Sequence, residues 1–509
     1  MTTKCRHLKK SSQKLLRNDE MKKLLIIFLI ISLAALSGCG AFSKKSKKEQ
    51  NNSQNNTENT DNDDETDGFD GFPGNDFEAP ITDSSITNLD SLIQELNLAQ
   101  YHNRGFRGQN LTIAVLDNGF MGIKRSIGRY LPPDTEVIDG SGNPQQQTTH
   151  GTKLAELIYT LATGEKTYKA TTTGPRLLLF NTNGWTNFTE AIEEVIKRKV
   201  DIVLYSQIWE YGGNMNGSGF INQEVNKALN AGILWINASG NNHLSTYHAD
   251  IKITNTQEVS LPFKNKYVRF KVQEDYTPCK IVLSWNDFAN TKNYQTSQNL
   301  DLYLENESGE ILSSSELIQD GLPHKDYRYY SAHAREIIKS VLKKGTYHLR
   351  VVAKSNNFNS LSALRITIDG YKVEMIDRTL DQTLLIPADN PGVLTIGAMD
   401  VNYSGRGLTS NGINKPELIT PSTIKFEDGQ EFQGTSSAAA IATAGLSVFM
   451  SGYGKLSRAQ IVQYLNQGLL GSRESYRNSP SSGQNNSPSP QLNTWLPPVL
   501  RLPDLNSLY

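Results

Sequence analysis

The chain has 509 residues, with 51 Lys and Arg against 52 Asp and Glu and three cysteines. That length is enough for two or three domains and at least one substantial core. A formal net charge of −1, with no Lys/Arg stripe through the body of the chain, excludes the electrostatic footprint of a nucleic-acid binder. The only long apolar run lies near the N-terminus, which excludes a multi-span membrane protein.

That run follows Met21-Lys22-Lys23, spans residues 24–36 and closes in Leu36-Ser37-Gly38-Cys39. The closing residues resemble a bacterial lipobox. The resemblance implies that residues 1–38 are an N-terminal extension and lipoprotein signal peptide, with Met21 a candidate start. It also implies that Cys39 is lipidated and that the protein is held at a membrane of the bacterial envelope rather than crossing it; the alternative is an uncleaved single-span anchor. With Cys39 lipidated, the mature chain keeps only Cys279, so no internal disulfide is expected. Residues 39–80, rich in Asn, Asp, Glu and Lys, cannot bury enough apolar surface to order themselves and read as a disordered tether. A flexible chain of roughly 40 residues has an r.m.s. span of about 35 Å, so the folded body stands off from its anchor.

From about residue 108, buried-strand and helix patterns alternate. "LTIAVLD" (111–117), "RLLLFNT" (176–182), "DIVLYSQIW" (201–209) and "ILWINAS" (233–239) are short apolar runs. Between them stand the helical patterns "HGTKLAELIYTLA", "NFTEAIEEVIKRKV" and "NQEVNKALNAG". Apolar runs linked by amphipathic helices predict a doubly wound parallel sheet covered on both faces. Near residue 250 the pattern changes. "EVSLPF", "YVRFKVQE", "KIVLSWND", "LDLYLEN", "TYHLRVVA" and "ALRITID" are strand-like, most with period two, and "REIIKSVLKK" is the one segment there that could be helical. This predicts an antiparallel sandwich. After residue 374 the α/β pattern resumes with the strand "GVLTIGAMD", the alanine-rich helix "GTSSAAAIATAG" and the helix "SRAQIVQYLNQG". The expected organisation is an α/β domain over 81–249 and 374–475, an inserted β-sandwich over 250–373, and a loose C-terminal segment over 476–509.

Four residues stand where a parallel sheet does its work, beyond the carboxyl ends of its strands. Asp117 ends an apolar run before a turn, His150 opens a helix, Asn241 ends "INASGN", and Ser436 opens the alanine helix. Singly, each has an ordinary structural reading: an Asx turn, a structural histidine, a turn amide and an N-cap hydroxyl. Jointly, the order Asp, His, Asn, Ser is one of the chain orders known for a Ser-His-Asp triad.

"IAVLDNG", "HGTKLAE", "ASGNN" and "GTSSAAAIATAG" resemble the signature segments of the subtilisin-like serine peptidases. The resemblance covers about 100–245 and 374–470 and skips the β insert, whose "NLDLYLENESGEI…GTYHLRV" resembles the small jelly-roll-like domains attached to secreted bacterial peptidases. It implies that Ser436 attacks the scissile carbonyl, that His150 accepts and returns the proton, and that Asp117 orients His150. It further implies that Asn241 and the Ser436 N–H hold the oxyanion, that Tyr205-Ser206-Gln207 pairs with an extended substrate, and that Ser239 and Gly240 wall the specificity pocket. Protein or peptide is the implied substrate. No cofactor is implied beyond the calcium that the family often binds, and no dense carboxylate loop marks a calcium site. Three positions depart from the family pattern: Lys153 for the second histidine of His-Gly-Thr-His, Ala440 for a proline, and Ile208 for the glycine of Ser-x-Gly. No propeptide-like segment lies between the tether and residue 100. The competing reading is a catalytically weak or inactive lipoprotein of the same fold acting as a binding module. An esterase of another α/β fold is disfavoured by the lack of a Gly-x-Ser-x-Gly elbow.

Overall fold

The computed structural model describes residues 85–138, 148–261, 266–471 and 497–505. Cys39 and its lipobox, the tether over 39–80 and the Pro/Ser/Asn-rich residues 478–491 lie outside them.

Seven strands make one parallel sheet: β1 (Thr112–Asp117), β2 (Glu136–Ile138), β3 (Arg176–Asn181), β4 (Ile202–Tyr205), β5 (Leu234–Ala238), β6 (Leu394–Ala398) and β7 (Leu418–Thr420). Their order is β7-β6-β5-β4-β1-β3-β2, with every neighbouring pair parallel. The helices are α1 (His150–Thr163), α2 (Gly184–Lys197), α3 (Phe220–Asn230), α4 (Thr435–Tyr453) and α5 (Arg458–Asn466).

Period-two alternation splits each strand between two cores. Ile113, Val115, Leu177, Leu179 and Ile236 pack into one core with residues of α1 and α4. Ala114, Leu116, Leu178, Phe180, Val203 and Trp235 pack into the other with Phe188 and Ile192 of α2 and Ile221 and Val225 of α3. Both faces of the sheet are therefore dry, which is why its strands read as continuous apolar runs. Every residue of α4 from Thr435 to Met450 is buried, the mark of a core helix rather than an amphipathic one. Its alanines let the backbone lie close to α1, β5, β6 and β7.

Between β5 and β6 the chain forms two antiparallel sheets. One orders Arg335–Leu342, Thr277–Trp285, Ala363–Asp369 and Thr246–Asp250. The other orders Ile311–Ser315, Leu300–Asn306, Gly345–Ala353, Val268–Val272 and Val373–Met375. Their inward residues, among them Phe270, Ile281, Leu283, Leu302 and Leu349, continue the core on the α2/α3 side of the parallel sheet.

Two expectations are corrected. "REIIKSVLKK" is a strand, paired from Arg335↔Ser284 to Leu342↔Thr277. Glu336, Ile338 and Leu342 turn inward while Lys339 and Val341 are exposed, and a ten-residue helix is marginal without packing of its own. The C-terminal segment is not loose over 497–505. The Leu500 N–H donates to the Ile419 carbonyl (2.9 Å), the Ile419 N–H donates to the Pro498 carbonyl (3.0 Å), and Leu500, Leu502 and Leu505 are buried. These residues cover the outer edge of β7, which would otherwise present unpaired backbone groups.

Glu336 is fully buried between the insert's sheets, where the Gln319 amide (2.8 Å), the Leu317 N–H (3.3 Å) and the Ser315 hydroxyl donate to its carboxyl group. Burial outweighs these donors and, with the nearby Asp301 charge, raises its pKa to about 7. The folded state thus favours the neutral acid. The stabilisation is full below the ordinary glutamate range and is lost as pH rises through about 7. Thermal melts between pH 5 and 8 are expected to show a falling Tm in the wild type and a shallower fall in Glu336→Gln.

Candidate active site

Asp117 ends β1 at the carboxyl edge of the sheet and is fully buried. Its Oδ2 accepts from His150 Nδ1 (2.7 Å) and from the Ser206 hydroxyl (2.8 Å), and its Oδ1 accepts from the Asn118 N–H (2.9 Å). Ser206 directly follows β4, which pairs with β1, so the sheet register brings these two side chains together. An ionised carboxylate only accepts, so the shared imidazole proton sits on Nδ1 and the Nε2 lone pair is the basic one.

His150 arrives from the other direction, as the first residue of α1. The Gly151 N–H donates to the Gly119 carbonyl (3.1 Å), drawing the helix start onto the turn after β1. A Cβ at Gly151 would lie 2.5 Å from Phe120 Cε1, 2.7 Å from the Gly119 oxygen and 2.8 Å from Asp117 Cβ. Only glycine permits the approach that puts His150 on Asp117. The Phe432 ring meets the imidazole edge-on at 5.6 Å. Lys153, one turn along α1, lies over the rings of Phe426 and Phe432 at 5.6 and 5.8 Å, which accounts for a cation at that position.

Ser436 is the second residue of α4, and Gly434 occupies the cap position with no side-chain cap. The capping role therefore does not apply to Ser436: its hydroxyl donates to the Ser206 carbonyl (3.3 Å). The adjacent Ser437 turns away, donating to the carbonyls of Ser422 and Gly434. Asn241 lies beyond β5, and its Oδ1 accepts from the Thr435 N–H (3.1 Å) and hydroxyl (3.0 Å). This grip on the helix start orients the amide, leaving its NH₂ as the donor end. Ser239 and Gly240 follow β5 next to the Ser206-Gln207-Ile208 segment, in register with it through β4 and β5. One buried carboxylate, one oriented imidazole and one hydroxyl at a helix N-terminus thus converge on a single edge, beside a side-chain amide. Such groups can activate a nucleophile and stabilise an oxyanion.

The model of the subtilase family (Peptidase S8) matches residues 108–269 and 309–486. The chain belongs to the subtilase family. It is therefore a serine-type peptidase by family, with protein or peptide substrates. Among solved structures, the CspB protease of Clostridium perfringens is 13% identical, with 81% of this chain and 97% of that chain covered and a TM-score of 0.47. MycP1 from Mycobacterium smegmatis is 14% identical over 79% of this chain and 83% of its own (TM-score 0.35). A cold-adapted subtilisin-like serine proteinase is 12% identical over 71% and 83% (TM-score 0.34). No curated protein matches the chain.

Several residues of this subtilase's site escaped sequence reasoning. Asn237 is buried inside β5, where its amide donates to the Gln207 carbonyl (3.2 Å) and its oxygen accepts from Trp235 Nε1 (3.1 Å). A polar residue within "ILWINAS" was the available signal. Thr435 and Phe432 carry no such mark, because their roles arise only when distant segments meet. Among the described residues no three or more His, Cys, Asp or Glu side chains converge as metal ligands.

Gly151→Ala is expected to push α1 off the turn after β1 and separate His150 from Asp117. Peptidase activity should fall by about 10² or more, since a displacement of about 1 Å in such a group can cost that much. Activity assays alongside thermal unfolding check this; activity within threefold of wild type would contradict the steric reading.

Proposed function

We propose that this subtilase is an endopeptidase in which Ser436, His150 and Asp117 form the catalytic triad, anchored to the bacterial envelope through a lipid on Cys39. The observation that carries the reading is the Asp117 carboxylate, buried and shared by His150 Nδ1 and the Ser206 hydroxyl at 2.7 and 2.8 Å. A buried carboxylate on Nδ1 sets the imidazole tautomer and stabilises the imidazolium that forms during turnover.

In this mechanism the Ser436 hydroxyl turns from the Ser206 carbonyl to His150, and its oxygen attacks the scissile carbonyl carbon as the proton passes to Nε2. The negative charge on the carbonyl oxygen is received by the Asn241 amide and the Ser436 N–H at the positive end of α4. The C–N bond breaks as His150 returns the proton to the leaving amine, giving an acyl-enzyme on Ser436. Water, deprotonated by His150, then releases the acid and restores the serine. Ser206 is a positioning residue: its hydroxyl donates to the same Asp117 oxygen that His150 Nδ1 meets.

A fluorophosphonate probe forms a covalent bond to an activated serine with loss of fluoride. Wild type is expected to label and Ser436→Ala not to. His150→Ala should keep the melting temperature and lose at least about 10³-fold in kcat/KM, the contribution of a general acid–base residue. Wild type that fails to label at any pH between 6 and 9, or His150→Ala within tenfold of wild type, leaves the binding-module reading in possession of the fold. For the anchor, Cys39→Ser should move the protein from the membrane fraction to the soluble one. Persistence in the membrane would point to an uncleaved N-terminal span.

A further inference from the structure

Beyond the nucleophile, β4 and β5 leave the sheet side by side. The register Tyr205↔Asn237 sets the Ser206-Gln207-Ile208 segment alongside the segment Ala238-Ser239-Gly240, and Asn237 bridges the two through the Gln207 carbonyl (3.2 Å). Ser436 sits at the mouth of this crevice on the Ser206 carbonyl, and Asn241 closes the next position along. On the proposed mechanism the attacked carbonyl lies between Ser436 and Asn241, and the side chain of its residue is the one placed to enter the crevice.

One wall of the crevice is bare backbone. Gly240 has φ +88°, and a Cβ placed there would lie 3.4 Å from Ile208 Cγ2 and 3.9 Å from Cγ1. The Ile208 side chain therefore already lies across from Gly240, at van der Waals distance from any side-chain atom entering there. Hydrogen bonds tether both walls. On the Gly240 side, the Ser239 N–H donates to the Ile396 carbonyl (2.9 Å), the Gly405 N–H donates to the Gly240 carbonyl (2.7 Å), and Ser239 and Ser404 hydroxyls pair at 3.2 Å. On the other side, the Trp209 N–H donates to the Ile386 carbonyl (2.6 Å) and the Ile386 N–H donates back (3.2 Å), fixing the backbone next to Ile208. Isoleucine is also stiff about χ1, so its branched side chain does not swing aside cheaply.

We infer that Ile208 is a specificity-determining residue: it fills the crevice against Gly240, and the enzyme cleaves after residues with small side chains such as alanine in preference to leucine or phenylalanine. This rests on the catalytic reading above and adds the class of substrate that the site accepts. In a pocket of this kind each excess methylene changes kcat/KM by about 10- to 200-fold, so a whole isoleucine side chain is enough to set the preference.

The test uses the full chain and three quenched peptides that differ only in Ala, Leu or Phe on the acyl side of the cleaved bond. Wild type is expected to favour Ala over Phe by at least about tenfold in kcat/KM. The Phe-to-Ala ratio should rise at least about tenfold in Ile208→Gly and by an intermediate amount in Ile208→Val, with melting temperatures recorded for each. A purely structural role would lower all three substrates together and leave the ratios unmoved. Unmoved ratios, or a wild type that prefers Phe, overturn the assignment. Fluorophosphonate labelling separates the two failures. A wild type that labels and cleaves with the wrong preference sinks the role of Ile208 alone, whereas one that neither labels nor cleaves sinks both.

Discussion

A carboxylate with no exposure to water constrains the whole working edge of this protein. Removing such a charge from water costs several kcal/mol unless donors replace the solvent. Asp117 meets that demand with an imidazole nitrogen, a serine hydroxyl and a backbone N–H. Each donor comes from a different neighbour: α1, the end of β4, and the turn after β1 itself. Satisfying one buried charge therefore locks three pieces of chain into one geometry, and a shift in any of them would strand it.

The same edge is tied to the start of the described chain. The Thr87 N–H donates to the Lys425 carbonyl (2.8 Å) and Ile86 bridges Phe426, so residues 85–88 lie along the short hairpin of Ile424–Lys425 and Glu431–Phe432. That hairpin carries Phe432 onto the His150 ring and, with Phe426, forms the aromatic bed for Lys153. The lysine that departs from the family motif is therefore compensated locally by two rings. Ala440, the other departure near the serine, continues α4 without a break, and its small volume suits a helix buried on every side.

The two antiparallel sheets add mass to the α2/α3 side, away from α1 and α4. They share that side's core and also a buried ion pair, Lys280 to Glu210 at 3.2 Å, with Glu210 only five residues beyond β4. Burial lowers the charged form of Lys280 while Glu210 restores it, and the pair leaves the ammonium favoured overall. A segment outside the parallel sheet is thus coupled to the strand whose end holds Ser206.

The sequence alone established the parallel sheet, because strands dry on both faces must read as unbroken apolar runs. It also singled out Asp117, His150, Asn241 and Ser436 as candidates, because residues at strand ends and helix starts keep local signatures in their turns and glycines. It misjudged "REIIKSVLKK", whose ladder partners lie in the distant segment Thr277–Ser284, and the leucines at 500, 502 and 505, whose burial depends on an edge strand they do not adjoin in sequence. It could not show that Ser436 rests on the Ser206 carbonyl rather than capping its helix, or that Ile208 lies against Gly240. Those contacts join segments 230 and 32 residues apart, and the distance between such segments is decided by packing, not by either segment's own composition.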